Sequence, residues 1–298
     1  MLLLSEAYNL FLALEWDIFY NFGKKMDFSI RLTNGQILRG FVKSPGSEAK
    51  AVIIMVHGIG EHIGRYSHWA EEFRKESIAF MGVDLPGHGL SEGRRGHIRD
   101  YSLLDEIIDT IINECRKFFP EVPAFLYGHS LGGGIVLNYL LNNDPAIKGA
   151  IVTSPWLKLT FEPSKAKVML AGILRNFLPG LTQRSGLEVS HLSQNREIVE
   201  KYVNDPLVHD RISVGLFHGA TKAAINVLQN AGRLKKPVLL MHGNNDQICS
   251  PDGSREFSAK TGKVELMIWE GGYHELHNEP FSNDVMKHIL NWIFAQIN

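Results

Sequence analysis

Gly128-His129-Ser130-Leu131-Gly132 sets a serine between two glycines at the spacing Gly-x-Ser-x-Gly. An apolar run at 124–127 precedes it, and a helical pattern at 131–142 follows. In that setting the five residues make a sharp strand-to-helix turn that lifts the serine hydroxyl out of a sheet. A serine hydroxyl is a poor nucleophile at neutral pH, so it needs a histidine base, and the base needs a carboxylate to orient it. Asp246, in His242-Gly-Asn-Asn-Asp246, and His274, in Gly271-Gly-Tyr-His274, follow Ser130 in the chain order serine, acid, histidine. Each stands just past an apolar run, 238–241 and 264–269 respectively, so all three reach the same carboxyl edge of a parallel sheet. Asp252 is a rival acid, but it fits a helix start better. His277 is a rival base, farther from the end of its strand. No acid follows the run at 150–153, where the chain reads Ser154-Pro155-Trp156. The chemistry these residues could perform is acyl transfer through a covalent serine intermediate.

Such an intermediate carries an oxyanion that needs two preorganised N–H donors. One is expected from Leu131, directly after the serine. The other is expected from Ile59 in the glycine-rich loop His57-Gly-Ile-Gly-Glu-His62, which follows the apolar run at 51–56.

These residues need a scaffold. Phe28, Ile30 and Leu32 alternate with polar residues up to Asn34-Gly35, and Ile37, Leu38 and the run to Val42 lie beyond, which predicts a β-hairpin. Continuous apolar runs at 51–56, 78–83, 124–127, 150–153, 238–241 and 264–269 read as parallel strands buried on both faces. Helical patterns at 102–118, 131–142, 221–231, 251–260 and 282–296 lie between or after them, the first opening with a Ser102-x-x-Asp105 cap. Strand alternating with helix predicts an α/β fold in which helices cover both faces of a mostly parallel sheet. Between Pro155 and about Arg233 no strand is expected, and 155–219 reads as a helical lid inserted into a core of 26–154 and 220–298. The block 164–178, with Val168, Met169, Leu170, Ile173, Leu174, Phe177 and Leu178, must be buried or face something apolar.

Composition excludes several classes. Among 298 residues, Lys plus Arg is 31 and Asp plus Glu is 32, so the net charge of −1 offers no footprint for nucleic acid. Two cysteines, Cys115 and Cys249, exclude a disulfide framework and fit a reducing, cytoplasmic setting. Residues 1–25 are apolar, but no basic residue precedes Lys24, and Glu6, Glu15 and Asp17 interrupt the run, so neither a signal peptide nor a clean membrane span is expected. Residues 2–22 read as a helix that docks on the body, on a sister subunit in a homodimer, or on a lipid surface. His57, Glu61 and His62 lack zinc-site spacing, and His274 and His277 lack completing ligands, so no metal and no cofactor is expected. Asp84-Leu-Pro-Gly-His-Gly-Leu-Ser91 carries turn residues and reads as structural.

With Ser130, Asp246, His274 and the 57–62 loop assembled, the chain resembles the α/β-hydrolase fold and, within it, the monoacylglycerol lipase and lysophospholipase group. The resemblance spans nearly all of 27–298. It rests also on Arg65-Tyr66, the segment 84–91, Gly128-His-Ser-Leu-Gly-Gly133, Tyr202-Val-Asn-Asp-Pro-Leu207, Asp246-Gln-Ile-Cys249 and Tyr273-His-Glu-Leu-His277. It implies an eight-stranded, mostly parallel sheet and a serine esterase acting on monoacylglycerols or related single-chain lipid esters. It also implies a helical lid carrying the acyl tunnel. Lysophospholipase or broad carboxylesterase action is the alternative, for which Lys165, Lys167 and Arg175 would be head-group candidates. By the same resemblance Tyr202 would contact the glycerol end of the substrate, while Glu61, Arg65 and His277 would form a polar cluster bracing the oxyanion loop. The 2–22 helix stands outside the family pattern.

Overall fold

The structure is a computed structural model that describes residues 25–98, 100–161, 169, 172, 174 and 177–297. The 2–22 helix, Lys165, Lys167, Arg175 and most of the 164–178 block lie outside the described residues.

Eight strands form one sheet: β1 (Lys25–Arg31), β2 (Ile37–Lys43), β3 (Ala51–Val56), β4 (Ile78–Val83), β5 (Ala124–His129), β6 (Gly149–Thr153), β9 (Val238–Gly243) and β10 (Val264–Trp269). Their spatial order is β1-β2-β4-β3-β5-β6-β9-β10. The β1–β2 hairpin turns at Asn34-Gly35 and joins β4 antiparallel; from β4 onward every pairing is parallel.

Strand alternation builds two apolar layers. On β3, Val52, Ile54 and Val56 face the layer shared with α2 (Leu103–Phe118), α3 (Leu131–Asn142) and α5 (Val214–Asn230). Ala51, Ile53 and Met55 face the layer shared with α1 (Ser67–Lys75) and α7 (Ser282–Ile297). β3, β4, β5, β6 and β9 are apolar on both faces because helices cover both. β10 is the exception among the apolar runs: it is the edge strand and only half buried.

Several local expectations are corrected. Ser102 is helical in its own backbone (φ −63°, ψ −21°) and makes no side-chain cap, which would need an extended residue; Asp100 instead accepts its N–H at 3.0 Å. The predicted 221–231 helix is the C-terminal part of α5, which begins at Val214, so the 219/220 boundary falls inside a helix. The insertion holds two strands, β7 (Thr182–Arg184) and β8 (Arg211–Ser213), paired antiparallel, and the helix α4 (Arg196–Asn204). Three-residue strands reading Thr-Gln-Arg and Arg-Ile-Ser are too short and too polar to show a period. Asp252 lies exposed on the first turn of α6 (Pro251–Ser258), paired with Arg255, and the cap there is Ser250.

Candidate active site

The turn between β5 and α3 holds Ser130 at φ 54° and ψ −117°, a conformation L-residues rarely adopt. Two neighbours make it feasible. Gly132 lies so close to β3 that a Cβ there would collide with the Val56 carbonyl. Ser130 N–H donates to the Thr153 carbonyl at 3.0 Å, tying the turn to β6. Leu131 is the first residue of α3, so its N–H belongs to the first turn, which has no intrahelical acceptors.

β9 and β10 run parallel and in register, Gly243 opposite Trp269, so the loops that follow them leave the sheet side by side. Within those loops His274 Nδ1 donates to Asp246 Oδ2 at 2.7 Å, and both side chains are buried. This leaves Nε2 as the basic nitrogen of His274. His274 and Ser130 line the same small cleft, together with Gly58, Ile59, Glu61, Arg65, Leu187, Leu192, Tyr202 and Glu275.

The electrostatics suit a base. Burial opposes ionisation of Asp246, but the imidazoles of His274 and His242 overcome it and hold the carboxyl below the usual range. Ile248 and Cys249 N–H donate to its Oδ1 at 2.8 and 3.0 Å. Burial would lower His274; the charge and hydrogen bond of Asp246 outweigh it, so the imidazole is more basic than usual. Burial pushes the Cys249 thiol well up, Asp246 adds to that, and a hydrogen bond with Ser130 opposes it.

The 57–62 loop is braced from three sides. Inside it, Gly58 N–H donates to Glu61 Oε1 at 2.6 Å, leaving Ile59 as the next N–H along the loop. His209 N–H donates to the Gly60 carbonyl at 2.9 Å, and His62 Nε2 lies 2.9 Å from Asp205 Oδ2, so the insertion grips the loop at two points. From below, Asp84 accepts the N–H groups of Ile63 at 2.8 Å and Leu90 at 2.7 Å, while Leu85 N–H donates to His57 Nε2 at 2.9 Å. His88 packs between the His57 and His209 rings. Burial lowers His57 to about 3, so it is neutral.

The polar cluster differs in one member from the expected one. Arg65 donates to Glu61 at 2.7 Å and to both oxygens of Glu275 at 2.6 and 2.7 Å. Burial works against Glu275, but Arg65 holds it below the ordinary carboxylate range; burial raises Glu61 against the pull of Arg65. The guanidinium also lies 4.7 Å from the centre of the Tyr202 ring. Tyr202, Glu61 and Arg65 thus meet at the cleft. His277 does not join them: its ring is stacked on Tyr66 and packed near His129, and neither ring nitrogen has a hydrogen-bond partner among the described residues. Burial lowers it to about 3. The sequence assigns Glu275 no role because an acid beside a histidine has no local signature; its partner stands 210 residues away. His242 was missed for a related reason: it reads as the last polar residue of a buried strand.

The family model of serine aminopeptidase, S33 matches residues 47–281. A monoacylglycerol lipase of Mycolicibacterium smegmatis is 30% identical over 259 residues, covering 86% of this chain and 92% of that protein. An uncharacterized abhydrolase domain-containing protein of Dictyostelium discoideum is 33% identical over 265 residues, 85% of this chain; the chain spans 27% of that longer protein. The crystal structure of a monoacylglycerol lipase from Paleococcus ferrophilus superposes with a TM-score of 0.79 at 35% identity, covering 86% of this chain and 99% of that one.

Proposed function

Because the chain belongs to the α/β-hydrolase family that includes the monoacylglycerol lipases, we propose that it cleaves monoacylglycerols to fatty acid and glycerol. The observation that carries this reading is the 2.7 Å hydrogen bond from His274 to Asp246, in a cleft shared with a serine held at a strained elbow. Ser130 Oγ attacks the ester carbonyl and His274 Nε2 takes its proton. Asp246 holds the imidazole and stabilises the imidazolium. The N–H groups of Ile59 and Leu131 bind the oxyanion. His274 returns the proton to the departing glycerol oxygen, and water then cleaves the acyl-enzyme by the same steps. Tyr202, above Arg65, faces the glycerol end, and the insertion that carries β7, α4 and β8 acts as a lid.

Met169, Phe177, Leu178 and Leu181 expose large apolar side chains, at 67, 77, 54 and 48%. That surface suits contact with the lipid that supplies the substrate, from the cytoplasmic side. No helix among the described residues is long and apolar enough to cross a membrane. Replacing Phe177 and Leu178 by serine lowers binding to phosphatidylcholine vesicles; unchanged binding removes the contact. Deleting residues 2–22 asks the same of the N-terminal segment.

The deciding experiment is fatty-acid release from monooleoylglycerol and from lysophosphatidylcholine, with the wild type and Ser130→Ala. Serine-dependent turnover of the glycerol ester supports the proposal. Preference for the phospholipid makes the protein a lysophospholipase, and no serine-dependent turnover of either overturns the reading.

A further inference from the structure

His242, near the carboxyl end of β9, is fully buried and touches no substrate-facing surface of the cleft. Its Nε2 lies 3.0 Å from Asp246 Oδ2 and 3.0 Å from the Cys249 carbonyl oxygen. Both of those oxygens only accept, so Nε2 carries the proton. Nδ1 lies 2.7 Å from Ser254 Oγ. The two acceptors at Nε2 therefore fix an N–H there, aimed at the acid of the triad.

Asp246 is consequently filled on both oxygens. Oδ1 takes the N–H groups of Ile248 and Cys249, and Oδ2 takes those of His274 at 2.7 Å and His242 at 3.0 Å. A carboxylate oxygen that serves two donors is a weaker acceptor for each. We propose that His242 is a positioning residue for the reaction: it locks the Asp246 carboxylate in one rotation and competes with His274 for the same oxygen. Its removal frees Oδ2 to bind the His274 imidazolium more tightly, so His274 gives up its proton less readily. Besides Asp246, the ionisable groups near His274 are Glu275 and Glu61, which favour its charged form, and the rings of His129 and His277. None of these touches His242, so they are a constant background in the comparison below.

The proposal rests on the serine-hydrolase reading, and the test separates the two. The pH dependence of kcat/KM is measured with p-nitrophenyl butyrate for the wild type, Ser130→Ala, His242→Leu and His242→Gln. The leucine variant is expected to lose about 10- to 100-fold, in kcat rather than KM, as for a displaced catalytic group, with the ascending limb moved to higher pH. The glutamine variant, which keeps an N–H donor, returns the limb toward the wild-type position. A leucine variant whose limb does not move, or a glutamine variant displaced as far as leucine, overturns the proposal. Equal rates for the wild type and Ser130→Ala overturn the hydrolase reading instead. Imidazole nitrogen NMR of the wild type tests the same point without a variant: His242 is expected to carry a proton on Nε2, and a ring protonated on Nδ1 alone overturns the role.

Discussion

Glu275 follows His274 directly in the chain and holds Arg65 through two hydrogen bonds of 2.6 and 2.7 Å. Because Arg65 also binds Glu61, whose Oε1 accepts the Gly58 N–H, the loop that carries the base and the loop that carries the oxyanion donor are joined through one buried guanidinium.

Arg65→Met therefore leaves two buried carboxylates facing each other without a cation. It is expected to cost about 3–5 kcal/mol, read from urea unfolding, and adding Glu275→Gln is expected to recover part of that. The folded-state pKa of Glu275 is depressed, so its contribution is complete above the ordinary value near 4.5 and is lost as pH falls through the folded value. Stability of the wild type should fall more steeply below pH 4.5 than that of Glu275→Gln.

Ser130→Ala is expected to lower ester hydrolysis by at least about 10³-fold while the melting profile stays cooperative. Its backbone strain remains, since alanine keeps a Cβ at φ 54°. Ser130→Gly should be equally inactive but more stable than Ser130→Ala by about 1 kcal/mol, measured by thermal unfolding.

His274 must be unprotonated to act as base, and its pKa is raised above 6.5. The ascending limb of kcat/KM is therefore expected to have its midpoint above pH 6.5. The sign for stability is opposite: a raised histidine contributes fully below 6.5, and that contribution is lost as pH rises through the folded value. A limb centred below 6.5 would contradict the Asp246 contact as the dominant influence.

Gly60 sits at φ 77°, and a Cβ there would collide with the His209 carbonyl. Gly60→Ala should push the loop off the insertion and move Ile59, lowering kcat by about 10²-fold with a smaller change in KM. Equal losses in a steady-state assay of both constants would point to a binding defect instead.

The nucleophile turn was legible because its demands are local: a buried strand, a sharp turn with no room for side chains, a helix. The same holds for the hairpin at Asn34-Gly35 and the five buried strands β3, β4, β5, β6 and β9, whose apolar runs are dictated by helices on both faces; β10 shares the apolar run but is a half-buried edge strand. β7, β8 and the true start of α5 were illegible because short polar strands and a helix entering from an insertion carry no period of their own.

By itself the sequence determined the alternation of strand and helix, the serine at its elbow, and the order in which acid and histidine follow, since each of these is set by neighbours along the chain. Only the tertiary structure decided who braces them. His242 shares Asp246 with His274, Glu275 rather than His277 completes the Arg65 cluster, and Asp205 and His209 hold the oxyanion loop. The physical reason is that a buried charge or N–H must find a partner wherever packing brings one within about 3 Å, and packing joins residues that the chain keeps as far as 210 positions apart.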